Sequence, residues 1–490
     1  MNNDLYLLAA QSNSPISGSK TSPLFGGNNG WAIRLNPYGS SLWQKTFGGS
    51  EQDFGGAVVE LPDAFYFGFS SGSAPGGTKT QPAYGTGADR SDFWLIKTDR
   101  NGNILWQKVY GSEQPDILTS MAMAPGNVLI LAGYSASDAS LDKSENSQGG
   151  DDFWILAVDP SGNKLWDKTI GGFSRDRCLQ IHVLSDGLLL LGNSSSPPSG
   201  HKQAPALGKT DVWIVKTDFN GDIIKDYCIG GSKDDYFYNA DLLDGHIYIT
   251  GSGFSPDLMN MNNTNQGEED GWLAELDSLG LNVLRIKSFG SSATDRAASV
   301  LALPGGRFML TLSSDGYTGD KNIPPVGMMD NWLLYLDQDW NIRGQQVIGG
   351  PLADNSLKSF SNSDGSVTTF AWSQSDFGGN KQVPQYGNGD IWVYRFKNLT
   401  GDEEESAAGQ SLKLYPNPVT DICVLTLPES QAFEKLRVVN AAGQSVYETN
   451  LNPAEGGTYT LNTASWAPGA YFIDLQNKQG ISLRSTLLKK

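Results

Sequence analysis

The chain has 490 residues, 39% of them apolar, and 35 Lys and Arg against 53 Asp and Glu give it a net charge of −18. That length is too great for one ordinary hydrophobic core and calls for several domains or one large repeat architecture. The acidic balance shows no basic patch for a nucleic-acid partner, and no apolar run is long enough to cross a membrane as a helix.

The first residues, Met1-Asn2-Asn3-Asp4, lead straight into Leu5-Tyr6-Leu7-Leu8 without a basic start or a cleavage site, so an export leader is expected upstream of this start. From there a period of about sixty residues runs to residue 397. It is marked by Trp31, Trp94, Trp154, Trp213, Trp272, Trp332 and Trp392. Two residues before each lies Asn29, Asp92, Asp152, Asp211, Asp270, Asp330 or Asp390. Five residues after each lies Asn36, Asp99, Asp159, Asp218, Asp277, Asp337 or Lys397.

The unit from Asp92 to Gly111 reads as a β-hairpin: an apolar strand to Asp99, a tight turn at Gly102, and a returning strand. A Gly-x-x-x-x-Asp connection follows in each unit, ending at Asp53, Asp116, Asp176, Asp235, Asp295 or Asp354. A second hairpin and a polar loop of about twenty residues lead to the next Asp-x-Trp. Four short strands per unit, seven times over, predict an all-β propeller of seven blades. The count does not close, because the chain opens on the second strand of a unit and the repeat stops after a third strand. Two three-stranded blades, pairing of the termini, or a strand outside this sequence would each account for it, and six or eight blades stay open. The tryptophans are expected to be buried between blades.

The turn wording also resembles the Asp-x-x-x-Gly-x-x-x-Trp docking repeat of quinoprotein-like propellers, in a looser form. Trp43, Trp106 and Trp166 fit it, while Lys225, Leu284 and Gly344 replace the indole later. Residues 1–397 as a whole resemble the repeat propellers of secreted Bacteroidetes proteins, a likeness that bears on fold more than on function.

Residues 398–410, with Asp402-Glu403-Glu404-Glu405, read as an acidic linker. Residues 411–490 open a new domain with Tyr415-Pro416-Asn417-Pro418. It continues through Val438-Val439-Asn440-Ala441-Ala442-Gly443 and Pro468-Gly469-Ala470-Tyr471, and ends on Lys489-Lys490. In this order the motifs resemble the type A C-terminal sorting domain of type IX secretion, an immunoglobulin-like sandwich. The resemblance implies recognition by that machinery, then removal of the domain and either release or attachment to the outer surface.

Chemistry is harder to find. Cys178, Cys228 and Cys423 fit neither a zinc pattern nor a disulfide framework and are expected to be packing residues. His182, His201 and His246 show no convergence toward a triad or a metal site. The repeated aspartates, with Lys20, Lys79, Lys143, Lys202, Lys321 and Lys381, are expected on one face, where short carboxylates fix loops through backbone N–H groups. The fifth long loop breaks the pattern. Its Glu268, Glu269 and Asp270 are the candidate ligand contacts, with calcium as a possible cofactor. Ligand contacts are expected from residues 13–30, 72–91, 136–151, 194–210, 253–269, 314–329 and 374–389. The expected function is non-enzymatic binding of a glycan, a protein or a surface polymer. The alternative is a secreted carbohydrate-active hydrolase or lyase using funnel carboxylates.

Overall fold

The computed structural model describes residues 5–396, apart from 85–89, 244, 261–265 and 279–280, and residues 413–489, apart from 416–418, 427–432, 441–443, 452–457 and 477–481. The chain divides into two compact units, Met1–Gly401 and Asp402–Lys490.

The second blade typifies the repeat. Inner strand Asp53–Glu60, second strand Ala64–Ser71, third strand Asp92–Asp99 and outer strand Ile104–Tyr110 form one antiparallel meander. The second and third strands read as nearly continuous apolar runs because neighbouring blades cover both of their faces. Every residue from Ala64 to Ser71 is buried, and so is every one from Asp92 to Ile96. The outer strand alternates toward solvent. Its turn needs Gly102 at φ +75°, and the Asp99 carboxylate accepts the Asn101 and Asn103 N–H groups at 2.9 Å each.

Seven such sheets follow one another, five of four strands and two of three. Among the described residues, the first blade (Tyr6–Ser12, Asn29–Leu35, Ser41–Phe47) shows no inner strand, and the seventh (Asp354–Ser361, Val367–Ser373, Asp390–Phe396) no outer one. These two still meet. The Tyr6 hydroxyl donates to the Asn362 side chain and is hydrogen-bonded to Thr368 Oγ1 (2.8 Å), its ring lies edge-on to Phe370 at 5.4 Å, and Arg395 Nη1 donates to Pro37 O at 2.5 Å. The ring therefore closes by side-chain packing. Around the axis, inner strands are tied to the preceding blade, as by Leu118 N–H to Ser70 Oγ (2.8 Å) and Ser356 N–H to Ser313 Oγ (2.9 Å).

Six of the seven marker tryptophans are buried, and Trp31 is half-buried. Trp154 lies 4.7 Å from Phe93 of the preceding blade, and Trp213 lies 4.9 Å from Phe153. The docking indoles also work between blades: Trp43 Nε1 donates to Arg100 O of the next turn at 3.2 Å, and Trp106 packs against Gly162. Where Leu284 replaces the indole, the direction reverses. Trp340, at φ +62° in the next blade's turn, is buried beneath the Arg285 guanidinium 3.9 Å from its ring.

The C-terminal unit is a separate two-sheet β-structure. One sheet holds Lys413–Tyr415, Ile422–Thr426 and Thr458–Asn462; the other holds Ser445–Asn450, Lys435–Asn440, Gly469–Gln476 and Ser482–Lys489. Cys423 and Leu425 from the first meet Leu436, Val438 and Ile473 from the second in one core. Of the sorting motifs, Tyr415 ends the first strand, and Tyr471 donates to Ala467 O at 2.7 Å beside Pro468 and Gly469. Lys489 Nζ reaches Thr420 O. Pro416, Asn417, Pro418, Gly443 and Lys490 lie outside the described residues.

Candidate functional site

The long loops and the Gly-x-x-x-x-Asp connections share one face of the ring, and both aspartate rings are built into it. Asp53, Asp116, Asp176, Asp235, Asp295 and Asp354 are fully buried. Each accepts the backbone N–H four residues upstream, from Gly49, Ser112, Gly172, Gly231, Ser291 and Gly350, at 2.6–2.9 Å. The second ring closes the long loops in the same way. Asp152, Asp211, Asp270, Asp330 and Asp390 accept the N–H four residues back at 2.6–2.8 Å. The Oδ1 oxygen of Asp92, Asp152, Asp211, Asp270 and Asp330 in this ring rests on a glycine. A Cβ at Gly111, Gly171, Gly230, Gly290 or Gly349 would stand 1.8–2.2 Å from it. Space, rather than a positive φ, demands glycine there.

The lysines are buried as well. Lys202 Nζ donates to Ser194 Oγ (2.8 Å) and Ser196 O (2.7 Å) with its ammonium 5.8 Å from the Trp213 ring, and Lys79 and Lys321 repeat the arrangement over Trp94 and Trp332. Burial sets the largest pKa shifts at Asp92, Asp116, Asp235, Asp270 and Lys79. It pushes Asp92 up to about 7, with the facing Asp116 carboxylate adding to the rise, and it pushes Asp116, Asp235 and Asp270 up to about 6. It lowers Lys79 to about 8, against the pull of Asp53 and Asp92.

Of the three residues singled out in the fifth loop, two are committed internally. Glu269 is buried, accepts Ser252 Oγ at 2.5 Å and pairs with Arg296 at 2.8 Å. Asp270 closes its loop as its counterparts do. Glu268 alone is exposed, and residues 261–265 beside it lie outside the described residues. The three carboxylates therefore do not form a surface trio. Glu269 occupies the position just before the aspartate, where the next blade's loop lies across the chain.

Toward the axis, the Asp241 carboxylate of the fifth blade is bridged at 2.6 and 2.7 Å by Lys358 of the seventh. His182 Nε2 lies 3.0 Å from Ala240 O, and burial lowers its pKa, which keeps the ring neutral. His246 pairs with Glu275 at 2.6 Å, while His201 is exposed on the fourth long loop, so the three histidines stay apart. Among the described residues, no group of three or more His, Cys, Asp or Glu is placed to hold a metal. The three cysteines are buried and form no disulfide among the described residues, and burial pushes Cys178 and Cys228 up to about 12.

Among its exposed polar residues the loop face also presents large apolar side chains to solvent. Ile16, Leu141, Phe173, Tyr317, Met328 and Phe377 stand there 51–71% exposed. On the opposite side Tyr38 stands 84% exposed in a turn, and Leu42, Leu105, Leu165, Ile224 and Leu284, each the second residue of an outer strand, are 51–58% exposed. The long-loop residues differ from blade to blade, and no sequence pattern marks them; the signal was their failure to repeat. A cleft of about 640 Å³ also opens on this face between the seventh and first blades, lined in part by Trp31, Trp372 and Tyr386.

Residues 413–490 match the family model described as the secretion system C-terminal sorting domain. That tail marks the protein for type IX secretion to the cell surface or the extracellular space. No curated protein matches the chain in sequence. Among solved structures, hydrazine synthase of Kuenenia stuttgartiensis is similar at 9% identity and TM-score 0.43, over 79% of this chain and 98% of that one. The Dos1 propeller is similar at 12% and 0.36 (89% and 93%), and the Neurospora crassa Pan2 WD40 domain at 11% and 0.34 (64% and 85%).

Proposed function

We propose that this exported propeller is a binding module whose long-loop face docks on a macromolecular partner, a protein surface in preference to a glycan. The observation that carries the reading is the set of apolar side chains that the long loops expose at positions differing from blade to blade, Phe173, Tyr317, Met328 and Phe377 among them, whereas the exposed Leu42, Leu105, Leu165, Ile224 and Leu284 recur at one position of the repeat. Exposed apolar clusters on a polar background are what docking surfaces offer. Aliphatic Ile16, Leu141 and Met328 suit a protein partner, because they lack the flat ring on which a sugar stacks. Variable loops on a rigid ring supply specificity without cost to the fold. Catalysis is the weaker reading, since Asp241 and Glu269 are neutralised by Lys358 and Arg296.

The test uses the full chain. Tyr317→Ser with Met328→Ser is compared with Tyr38→Ser for retention on extracts of the producing cell's surface proteins and on a glycan array, beside a broad hydrolase screen. Loss of retention on protein in the loop-face variant alone supports the reading. Retention only on glycans, loss only in the Tyr38 variant, or turnover in the screen overturns it.

A further inference from the structure

Six seams of the ring are stitched in one way, and the seventh is not. At each of the six, the first N–H of an inner strand donates back to the carbonyl three residues before the preceding blade's tryptophan. Asp53 reaches Asn28, Asp116 Ser91, Asp176 Asp151, Asp235 Thr210, Asp295 Glu269 and Asp354 Met329, all at 2.6–2.8 Å. At five of them a second bond runs the other way, for example Gly150 N–H to Ser174 O (2.9 Å) and Met328 N–H to Leu352 O (3.3 Å). The crossing loop lies so close that a Cβ on Gly26, Gly149, Gly208, Gly267 or Gly327 would stand 2.0–2.5 Å from its atoms.

In the seventh blade the same places are held by Gly387, Asn388 and Gly389. A Cβ on Gly387 would meet only its own loop's Asp390, at 3.8 Å, and no described main-chain group bonds Asn388 N–H or Gly389 O. Three features meet at this seam. Among the described residues, third strand Asp390–Phe396 is paired on one side only, and so is Tyr6–Ser12, to whose axis side no described strand is paired. Alongside Tyr6–Ser12 runs a slot of about 470 Å³, walled by Leu7, Ala9, Leu357 and Phe360, which continues into the 640 Å³ cleft at Gln11 and shares Ile391 with it.

We propose that this seam is an acceptor site for one extended polypeptide segment of about twenty residues, carrying the repeat's own pattern of outer strand, Gly-x-x-x-x-Asp loop and inner strand. One such segment, as residues 342–361 do between the sixth and seventh blades, adds an outer strand to one blade, crosses the seam and adds an inner strand to the next. Only a strand satisfies a row of main-chain donors and acceptors along an edge, so the occupant is polypeptide and not glycan. A second copy of the ring cannot lend such a segment, because all six in this chain are already seated in its own seams. Residues 402–414 do not have the pattern: Asp402 to Ala408 lacks the apolar alternation, and Leu414 stands five residues after Gly409 where the aspartate belongs. The inference is independent of the loop-face reading.

The experiment titrates the full chain with a synthetic peptide of residues 342–361, with a scrambled peptide and with the same peptide carrying Asp354→Ala. The proposal expects saturable one-to-one binding, slowed amide exchange in residues 6–12 and 390–396, and about tenfold weaker binding of the Asp354→Ala peptide. In a second arm, the twenty residues are fused ahead of Met1 through a flexible linker, which makes binding intramolecular and is expected to raise the melting temperature over that of a scrambled fusion. Neither binding in solution nor stabilisation by fusion, or binding that leaves exchange in residues 6–12 unchanged, overturns the proposal. So does a ring dimer in sedimentation that the peptide fails to dissociate.

Discussion

Asp92→Asn at the seam of the second and third blades should stabilise the propeller at pH 8 and leave it unchanged at pH 4. In the folded chain, burial, helped by the facing Asp116, lifts Asp92 to about 7 from its ordinary 3.8. A pKa raised by folding contributes stability that is full below the unfolded value and lost as pH rises through the folded one, here between about 4 and about 7. That interval corresponds to about 4 kcal/mol at pH 8. The first blade already shows the neutral solution. Asn29 holds the same position, its Oδ1 accepts Phe25 N–H at 2.7 Å, and its Nδ2 donates to Asp53 Oδ2 at 3.3 Å. A buried amide costs something too, so recovery of about half, about 2 kcal/mol, is expected. For the unit Met1–Gly401, an unfolding entropy of about 2.1 cal/mol/K per residue converts this to a rise of about 2–3 °C. Differential scanning calorimetry of the propeller transition at both pH values measures it. Equal destabilisation at pH 4 and pH 8 would refute the argument, because it would mean that Asp92 acts only through its bond from Tyr84 N–H.

Trp154→Ala, which empties a fully buried inter-blade site against Phe93, should cost about 3–5 kcal/mol, whereas Trp372→Ala, at an indole 38% exposed, should cost under about 1 kcal/mol; denaturant titration compares them. Deleting residues 413–490 should leave the propeller inside the cell envelope of a strain with an intact secretion system, as fractionation would reveal. Cys178 and Cys228 should resist a thiol reagent until the ring unfolds, since burial holds both thiols protonated; mass spectrometry of native and denatured samples reads this out.

The repeat was legible because its cause is local. A tryptophan buried at six of the seven marker positions and a glycine forced by a carboxylate recur at fixed spacing, since most blades face the same neighbours. The loop-closing role of the aspartates could be read in the same way, from residue type and position. The end blades could not be resolved from spacing, because Tyr6 reaches Asn362 and Thr368 across more than 350 residues and nothing periodic announces such a contact. The fifth loop misled for a related reason. Glu268, Glu269 and Asp270 are consecutive carboxylates in sequence, but Glu269 turns inward to Arg296 of the next blade, a partner invisible from the loop itself. Exposed Phe173 and Met328 escaped notice because exposure leaves no mark on a sequence.

The seam stitches use main-chain groups and one carboxylate, and beyond a glycine where the loops cross they ask little of the side chains around them. A joint of that kind accepts any neighbour built to the same plan. A gene encoding such a ring can therefore gain, lose or shuffle whole units by unequal crossing-over and still yield parts that join. Each loop is closed by its own aspartate and meets the next loop at a few residues, as Gln266 meets Asp320 at 2.9 Å, so much of its sequence can change while those contacts are kept. The joint that keeps the ring rigid is thus also what leaves its outer face free to diversify.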